Sequence, residues 1–218
     1  MTVEKTIMNT RIRRGLAALA LSLVAASPAG GLAQSHPAAA SPEGLSAQDR
    51  EMLALATEFG KRCGEVMERW IDAKEVTEAR LFSFLYYPVP KTDPPKFTTD
   101  WDKLSDRDVL AIEESALAKS AAMFYAVLVD KFGYLPTHNQ RYAQPLTGNT
   151  AVDLVNNRTK RIFNDRTGLL AARNQAPFLV QRYQRDTGEN MVDLSVPVFV
   201  KGQHWGAVRL GYRVVEGR

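Results

Sequence analysis

The sequence predicts an α+β protein, in which a five-stranded antiparallel sheet packs against a long N-terminal helix and is covered by short helices. Three observations lead to this prediction. Apolar residues recur every three to four positions early in the chain, as in an amphipathic helix. Five β-like segments follow, and short turns join the last three, which requires antiparallel strands. The composition, with 45% hydrophobic and 24% charged residues, is typical of a globular protein.

Residues 1–33 have the pattern of a signal peptide. A positive region comes first, formed by Arg11, Arg13 and Arg14, and an apolar run from Leu16 to Ala26 follows it. Small residues at Gly31 and Ala33 then fit a cleavage site. We therefore expect cleavage after Ala33 and a periplasmic or secreted protein. An uncleaved segment that anchors the chain in the inner membrane is the alternative.

Charge and cysteine content exclude several classes of protein. The net charge is +4, but four basic residues and one acidic residue lie within the first 33 residues. The remaining chain is nearly neutral and lacks the basic excess that a nucleic-acid partner requires. Cys63 is the single cysteine, which excludes an internal disulfide and a cysteine-rich zinc site.

The first predicted element is the long helix. Residues 34–45 are rich in Ala, Ser and Pro and are predicted to form a flexible leader. Ser46 and Asp49 then have the spacing of a capping box. The apolar stripe that follows consists of Met52, Leu55, Phe59, Cys63, Val66, Met67, Trp70 and Ile71. Because the pattern extends to Leu85, we predict a helix from about 46 to 86. Four prolines between 88 and 95 end it, so 46–104 comprises the helix and a Pro-rich loop.

Residues 105–218 are predicted to form the sheet domain. A helix runs from Ser105 to about Ala121, and short helices are predicted over 150–155 and 169–173. Apolar or alternating runs predict the five strands, over 124–129, 134–138, 178–185, 191–200 and 205–214.

Four short motifs occur in order in this second half. They are GYLPTHN at 133–139, NRTKRIF at 157–163, DTG at 186–188 and HWGA at 204–207. Their combination, over about 105–214, resembles the PAS/Cache-like extracytoplasmic sensor domains of methyl-accepting chemotaxis proteins. The resemblance implies a PAS/Cache-like fold, a small-molecule ligand and a homodimer formed through the N-terminal helix. It also implies a membrane receptor as a further partner.

The chain departs from these sensor domains in two respects. Some relatives attach a c-type haem, but the C-x-x-C-H motif is missing here, so we expect no cofactor. A second membrane span and a signalling coiled coil are also missing from the sequence. The resemblance therefore implies sensing or binding without a signalling module of the chain's own.

Strand alternation predicts which sheet face binds a ligand, because neighbouring side chains point to opposite faces. In the strand at 191–200, one face is aliphatic from Val192 to Val200 and should pack on the long helix. The other face carries polar and aromatic groups, as a ligand pocket does. The predicted ligand-binding residues on it and on its neighbouring strands are Gln181, Tyr183, Asp193, Trp205 and Arg209. A structural ion pair between Asp193 and Arg209 is the alternative.

Five further residues complete the predicted site. They are Tyr134, His138, Asn157, Arg161 and Arg173. Arg161 lies in a basic, amide-rich segment and could hold a ligand carboxylate by paired hydrogen bonds. Arg173 ends a short helix, where a cation also stabilises the last carbonyls. For His138, a buried hydrogen-bonded imidazole and an axial ligand of non-covalent haem are both left open, whereas the histidines make a weak metal site.

The sequence favours binding over catalysis. It has no G-x-S-x-G, H-E-x-x-H, P-loop or G-x-G-x-x-G motif, so we predict that the protein is not an enzyme. The predicted function is a periplasmic small-molecule sensor or binding protein. A ligand-free dimeric scaffold and a non-covalent haem sensor remain the alternatives. In a dimer, Met52, Leu55 and Phe59 are expected to bury themselves against the second subunit.

Overall fold

A computed structural model describes residues 42–184 and 190–215. The predicted signal peptide, its cleavage site after Ala33 and the leader up to residue 41 lie outside the described residues. The DTG motif at 186–188 lies outside them too. Within these residues, no helix is both long enough and apolar enough to cross a bilayer.

The described chain combines helices with antiparallel strands, as the α+β prediction requires. The helices are α1 (Ala47–Asp72), α2 (Glu78–Leu81), α3 (Asp102–Asp108), α4 (Leu110–Leu117), α5 (Thr150–Asn156) and α6 (Arg166–Arg173). The strands are β1 (Tyr87–Val89), β2 (Lys96–Thr98), β3 (Met123–Asp130), β4 (Tyr134–Leu135), β5 (Arg161–Ile162), β6 (Leu179–Gln184), β7 (Asn190–Val200) and β8 (Gln203–Arg213).

Helix α1 begins where the sequence predicts and ends earlier. The Ser46 hydroxyl accepts a hydrogen bond from the Asp49 amide at 3.0 Å, and the Ser46 amide donates to the Asp49 carboxylate at 3.2 Å. These two bonds form the predicted capping box. The helix ends at Asp72 because Lys74 has a left-handed backbone conformation with φ of 59°. The predicted continuation to residue 86 is therefore wrong, and the short α2 lies in that segment.

The main core lies between α1 and one face of the sheet. The inward residues of α1 pack with Val192, Leu194, Val196, Val198 and Val200 of β7, which confirms the predicted aliphatic face. Gly60 and Gly64 bring the helix close to the sheet, because a Cβ on Gly64 would lie 3.0 Å from the Phe199 carbonyl oxygen.

This packing corrects the predicted dimer contact. Met52 and Phe59 are only 1% and 2% exposed, because they are buried in the core of their own subunit. They are therefore not available to a second subunit, and Leu55 is half-buried. The outer face of α1 is polar instead, with exposed side chains that include Glu51, Glu58, Lys61, Arg62 and Glu65.

The main sheet has four antiparallel strands in the order β3-β8-β7-β6, and not the predicted five. The segment expected to supply the fifth strand forms β4, which pairs with β5 in a separate two-stranded sheet. Strands β1 and β2 pair with each other in a third sheet.

Side chains occupy the edge where a fifth strand would pair. The Ala126 amide of β3 donates to Asn139 Oδ1 at 2.8 Å, and the Leu128 amide donates to Glu113 Oε1 at 3.0 Å. Both acceptor residues are 0% exposed. Because a buried amide requires one acceptor, these two side chains replace the backbone of a neighbouring strand.

The buried Glu113 gives the fold a pH dependence. Burial raises its pKa well above the ordinary value of 4.5, so the folded chain retains a proton that the unfolded chain releases. The contribution of Glu113 to the free energy of unfolding is therefore fully present below about pH 4.5 and decreases as the pH rises above this value. We expect Glu113→Gln, which keeps an acceptor for Leu128, to lack this decline when urea unfolding is followed between pH 4.5 and 8.

The matched control is Glu65→Gln, which alters an exposed glutamate of α1. Its unfolding free energy should follow that of the native chain across the same pH range. Parallel curves for Glu113→Gln and the native chain would show that Glu113 is not the group responsible.

Candidate ligand-binding cleft

The face of the main sheet opposite α1 carries a cleft of about 230 Å³. Strands β3, β4, β6 and β8 and the segment from residue 158 to 167 contribute to it. Its apolar and aromatic walls are Tyr125, Val127, Leu135 and Phe163. Its polar lining is His138, Arg158, Asp165, Thr167, Tyr183 and Arg209.

A buried ion pair forms one side of the cleft. Arg209 Nη2 lies 2.6 Å from Asp193 Oδ2, and Arg209 Nε lies 3.1 Å from the same oxygen. The Asp193 side chain is fully buried and that of Arg209 is 11% exposed. Burial lowers the pKa of Arg209, but the neighbouring Asp193 carboxylate outweighs this effect and raises it overall. Arg209 is therefore a cation whose charge Asp193 already balances.

Tyr125 packs beside this ion pair because a glycine on the adjacent strand leaves room for its ring. Its hydroxyl donates to Asp193 Oδ2 at 2.5 Å, and burial raises its pKa so that the hydroxyl stays protonated. Gly211 lies opposite Tyr125 in the ladder, and a Cβ there would lie 2.2 Å from the ring. The missing side chain at residue 211 therefore makes room for Tyr125 across β8.

His138 lines the cleft and is almost fully buried. The residue is 3% exposed, and its Nδ1 has no hydrogen-bond partner within residues 42–184 and 190–215. Its ring lies 4.9 Å from that of Tyr142. Burial, followed by the charges of Arg158, Arg141 and Arg161, lowers its pKa to about 3. The imidazole is therefore neutral at physiological pH.

Arg158 places a second cation in the lining. Its guanidinium lies 5.1 Å from the Phe163 ring, and that of Arg161 lies 5.0 Å from the same ring. The Arg158 amide donates to the Tyr142 carbonyl at 2.7 Å, which fixes its backbone. In the part of the chain that the structure describes, Arg158 forms no ion pair, in contrast to Arg209.

A second cavity of about 220 Å³ adjoins the cleft. The two share Tyr125, His138, Arg158 and Tyr183. The second cavity is otherwise lined by Phe124, Tyr142, Val155 and Met191.

The structure brings several predicted residues together. His138, Tyr183 and Arg209 line the cleft, and Asp193 lies behind Arg209. Gln181 supports the wall indirectly, because its Nε2 donates to the Thr167 carbonyl at 2.9 Å. Arg161 is not among the lining residues, but its guanidinium lies against the ring of Phe163, which belongs to the apolar wall.

Trp205 is not on this face, although strand alternation places it there. Phe199 pairs with His204 and Val198 pairs with Gly206, so Trp205 is the extra residue of a β-bulge. The bulge turns its side chain into the main core. There it packs edge to face against Trp101, with ring centroids 5.5 Å apart, and its Nε1 donates to the Leu81 carbonyl.

Three more predicted residues have structural contacts outside the cleft. The Tyr134 hydroxyl donates to the Asp102 carboxylate at 2.9 Å within the main core. Asn157 accepts a hydrogen bond from Lys96 Nζ and donates to the Gln144 carbonyl, which ties two loops together. Arg173 donates to the Lys131 carbonyl at 3.3 Å from an exposed position. These residues do not line the cleft.

Sequence reasoning missed part of the lining. Tyr125 lies in an apolar run that predicts only a buried strand, and its position depends on Gly211, 86 positions further on. Phe163, Asp165 and Thr167 lie in a segment without regular periodicity. Arg158 belongs to the basic segment already noted, but the sequence does not distinguish it from Arg161.

Two observations bear on the metal and haem alternatives. Among the described residues, no group of three His, Cys, Asp or Glu side chains could hold a metal ion. The two cavities are each smaller than the roughly 300–1,000 Å³ of pockets for drug-sized ligands.

No known protein family and no curated protein matches the chain. Among solved structures, it is similar to an extracellular ligand binding receptor from Desulfohalobium retbaense DSM5692. The TM-score is 0.36 and the identity is 14%, over 77% of this chain and 25% of that one. The chain therefore spans about a quarter of that receptor's length. This similarity is too weak to carry an argument about function.

Proposed function

We propose that the protein is an extracytoplasmic small-molecule-binding protein of the sensor type, and that the cleft is its binding site. The observation that carries this proposal is a cleft with aromatic walls on the sheet face opposite α1, whose lining includes the buried His138. Among the described residues, the Nδ1 of His138 has no hydrogen-bond partner. Buried polar atoms are nearly always hydrogen-bonded, so an unsatisfied histidine in the lining of a cavity suits a ligand site.

The cleft is better suited to binding than to catalysis. A general base works best with a pKa near the operating pH, and that of His138 is about 3. Asp193 is fully engaged by Arg209 and Tyr125. We therefore propose binding without a chemical step.

The proposed setting follows from the N-terminal sequence and from the resemblance. The signal-peptide pattern predicts a protein of the periplasm or of the cell exterior. The resemblance to sensor domains supports a membrane receptor as its partner. A homodimer also stays a prediction. Because the outer face of α1 is polar, a dimer through that face would depend on charged contacts and not on an apolar stripe.

Native mass spectrometry of protein purified from its own host tests this function. We expect a retained small molecule that is lost on denaturation, and no haem absorption in the visible spectrum. Thr167→Trp should abolish retention, because Thr167 lines the cleft and a larger side chain would fill it. The matched control is Thr57→Trp on the exposed side of α1, which should retain the molecule.

Retention in both tryptophan variants would place the molecule elsewhere and overturn the proposed site. Protein without any retained molecule, together with no response to added small molecules, would favour the ligand-free scaffold. Thermal melting of each variant checks that it is folded.

A further inference from the structure

Strand β6 forms one edge of the main sheet. It pairs with β7 without a bulge from Leu179 to Gln184, and no strand pairs with its other side in the chain that the structure describes. A free strand edge presents a row of N–H and C=O groups that can pair with another chain. The outer side of β6 is therefore a candidate interaction surface.

Other strand edges of the molecule are closed to such pairing. The side chains of Asn139 and Glu113 bond to the amides of β3 at the opposite edge of the main sheet. Strand β1 contains Pro88, which has no N–H to donate. Strand β6 contains neither proline nor glycine, and the neighbouring helix α6 packs on β7 and β8. The edge of β6 thus lacks the features that block pairing at the other two.

The hydrogen bonds of β7 show which backbone groups of β6 point outward. The Val214 amide donates to the Asn190 carbonyl at 3.3 Å, so the backbone groups of Asn190 face β8. Because this direction alternates along an antiparallel strand, the backbone groups of Met191, the next residue of β7, face β6. The partner of Met191 in the ladder is Tyr183, whose backbone groups therefore bond to β7.

The same alternation along β6 leaves Val180 and Arg182 with outward backbone groups. Gln181, like Tyr183, bonds to β7, and the residues on either side of it face away. Among the described residues, no backbone group outside the sheet bonds to Val180 or Arg182. The middle of this edge therefore offers two N–H and two C=O groups to a partner.

The sequence of β6 is complementary to itself. Leu179 and Val180 are half-buried and Tyr183 is 40% exposed, so apolar surface flanks the polar Gln181. In an antiparallel pair centred on Gln181, Val180 lies opposite Arg182 of the partner subunit, and Leu179 lies opposite the partner's Tyr183. This register joins the residues that have outward backbone groups. A register centred on Arg182 would place two guanidinium groups opposite each other, which is destabilising.

We propose that two copies of the chain associate through β6, which pairs antiparallel with β6 of the partner subunit around a twofold axis at Gln181. The main sheets of both subunits then form one continuous sheet. On one face, the aliphatic part of the Arg182 side chain covers the partner's Val180. On the other face, Leu179 of the partner subunit lies beside Tyr183, which lines the cleft. This dimer differs from the one that the resemblance implies, through the N-terminal helix, and it does not rest on the proposed function.

Disulfide cross-linking tests the register. The chain with Gln181→Cys should form a covalent dimer on mild oxidation, because opposite Cα atoms at such a pair are about 4.5–5.5 Å apart, within the range of a disulfide. A non-reducing gel shows the product. The matched control is Tyr183→Cys, whose two copies lie at strand positions roughly 13 Å apart and should stay unlinked. The native Cys63 is buried and should not react.

A proline substitution tests the backbone hydrogen bonds between the subunits. Arg182→Pro removes an N–H that faces away from β7, so the sheet of each subunit keeps its own bonds. We expect the dimer dissociation constant, measured by sedimentation velocity, to rise about tenfold or more, because each dimer loses two hydrogen bonds. The matched control is Arg182→Ala, which loses the same ion pair with Asp49 but keeps the amide. It should sediment as the native dimer does, and thermal melting checks that each variant is folded.

Hydrogen exchange of the native chain tests the interface without a substitution. The amides of Val180 and Arg182 should be protected above the dissociation constant and should exchange freely after dilution below it. The amides of Gln181 and Tyr183 bond to β7 and should stay protected at both concentrations. They are the internal control for local opening of β6.

Four results would overturn the proposal. They are a monomer at every concentration, a dimer unaffected by Arg182→Pro, cross-linking of Tyr183→Cys in place of Gln181→Cys, and protection of the Val180 and Arg182 amides in the monomer. The last result would show that another segment of the same chain covers the edge. None of these results depends on ligand retention, so the proposed function is tested separately.

Discussion

Replacing Asp193 with alanine is expected to destabilise the protein by about 3–5 kcal/mol. The substitution leaves Arg209, whose side chain is only 11% exposed, without its counter-charge. It also removes the acceptor of the Tyr125 hydroxyl. Urea unfolding at pH 7 gives the free energy of unfolding directly. The structure thus favours the ion-pair interpretation of Asp193 over direct contact with a ligand.

Two further variants make this expectation specific. Asp193→Ala combined with Arg209→Met should recover most of the lost stability, because removing both charges avoids an unpaired buried ion. Glu65→Ala breaks the exposed Lys61–Glu65 pair and should cost at most about 1 kcal/mol. A loss below about 1 kcal/mol in Asp193→Ala, accompanied by lost ligand retention, would return Asp193 to the role of a binding residue.

Gly211→Ala is expected to cost about 1–3 kcal/mol and to displace Tyr125 from the cleft. The new Cβ would lie 2.2 Å from the Tyr125 ring, so the ring must move away from β8. Moving it breaks the hydroxyl contact with Asp193. Urea unfolding measures the stability, and the NMR signals of the Tyr125 ring report its displacement.

Gly44→Ala is the control for adding a methyl group, since nothing lies within 4 Å of a Cβ at that residue. It should change stability by no more than about 0.5 kcal/mol. Gly211→Ala combined with Tyr125→Ala should cost less than the sum of the single variants, because the clash is gone. Strictly additive losses would show that the glycine serves a purpose other than space for this ring.

Local patterns were sufficient where neighbours in sequence decide the structure. The Ser46–Asp49 capping box is formed within four residues, and the sequence places the start of α1 correctly. The alternation of β7 separates Asp193 from the aliphatic residues Val192 and Leu194, and the structure has them on opposite faces. These features depend on periodicity and on hydrogen bonds between near neighbours, which the sequence contains in full.

The sequence by itself thus determined the α+β class, the start and inward stripe of α1, and the polar face of β7. Tertiary contacts decided the rest. Glu113 and Asn139 hold the β3 amides, which leaves the sheet with four strands. A bulge turns Trp205 into the core, and Gly211 makes room for Tyr125 in the cleft. The physical reason is that a buried amide donates to, and a buried ring packs against, whichever partner the folded chain brings within reach. Periodicity does not encode such contacts between residues that are distant in sequence.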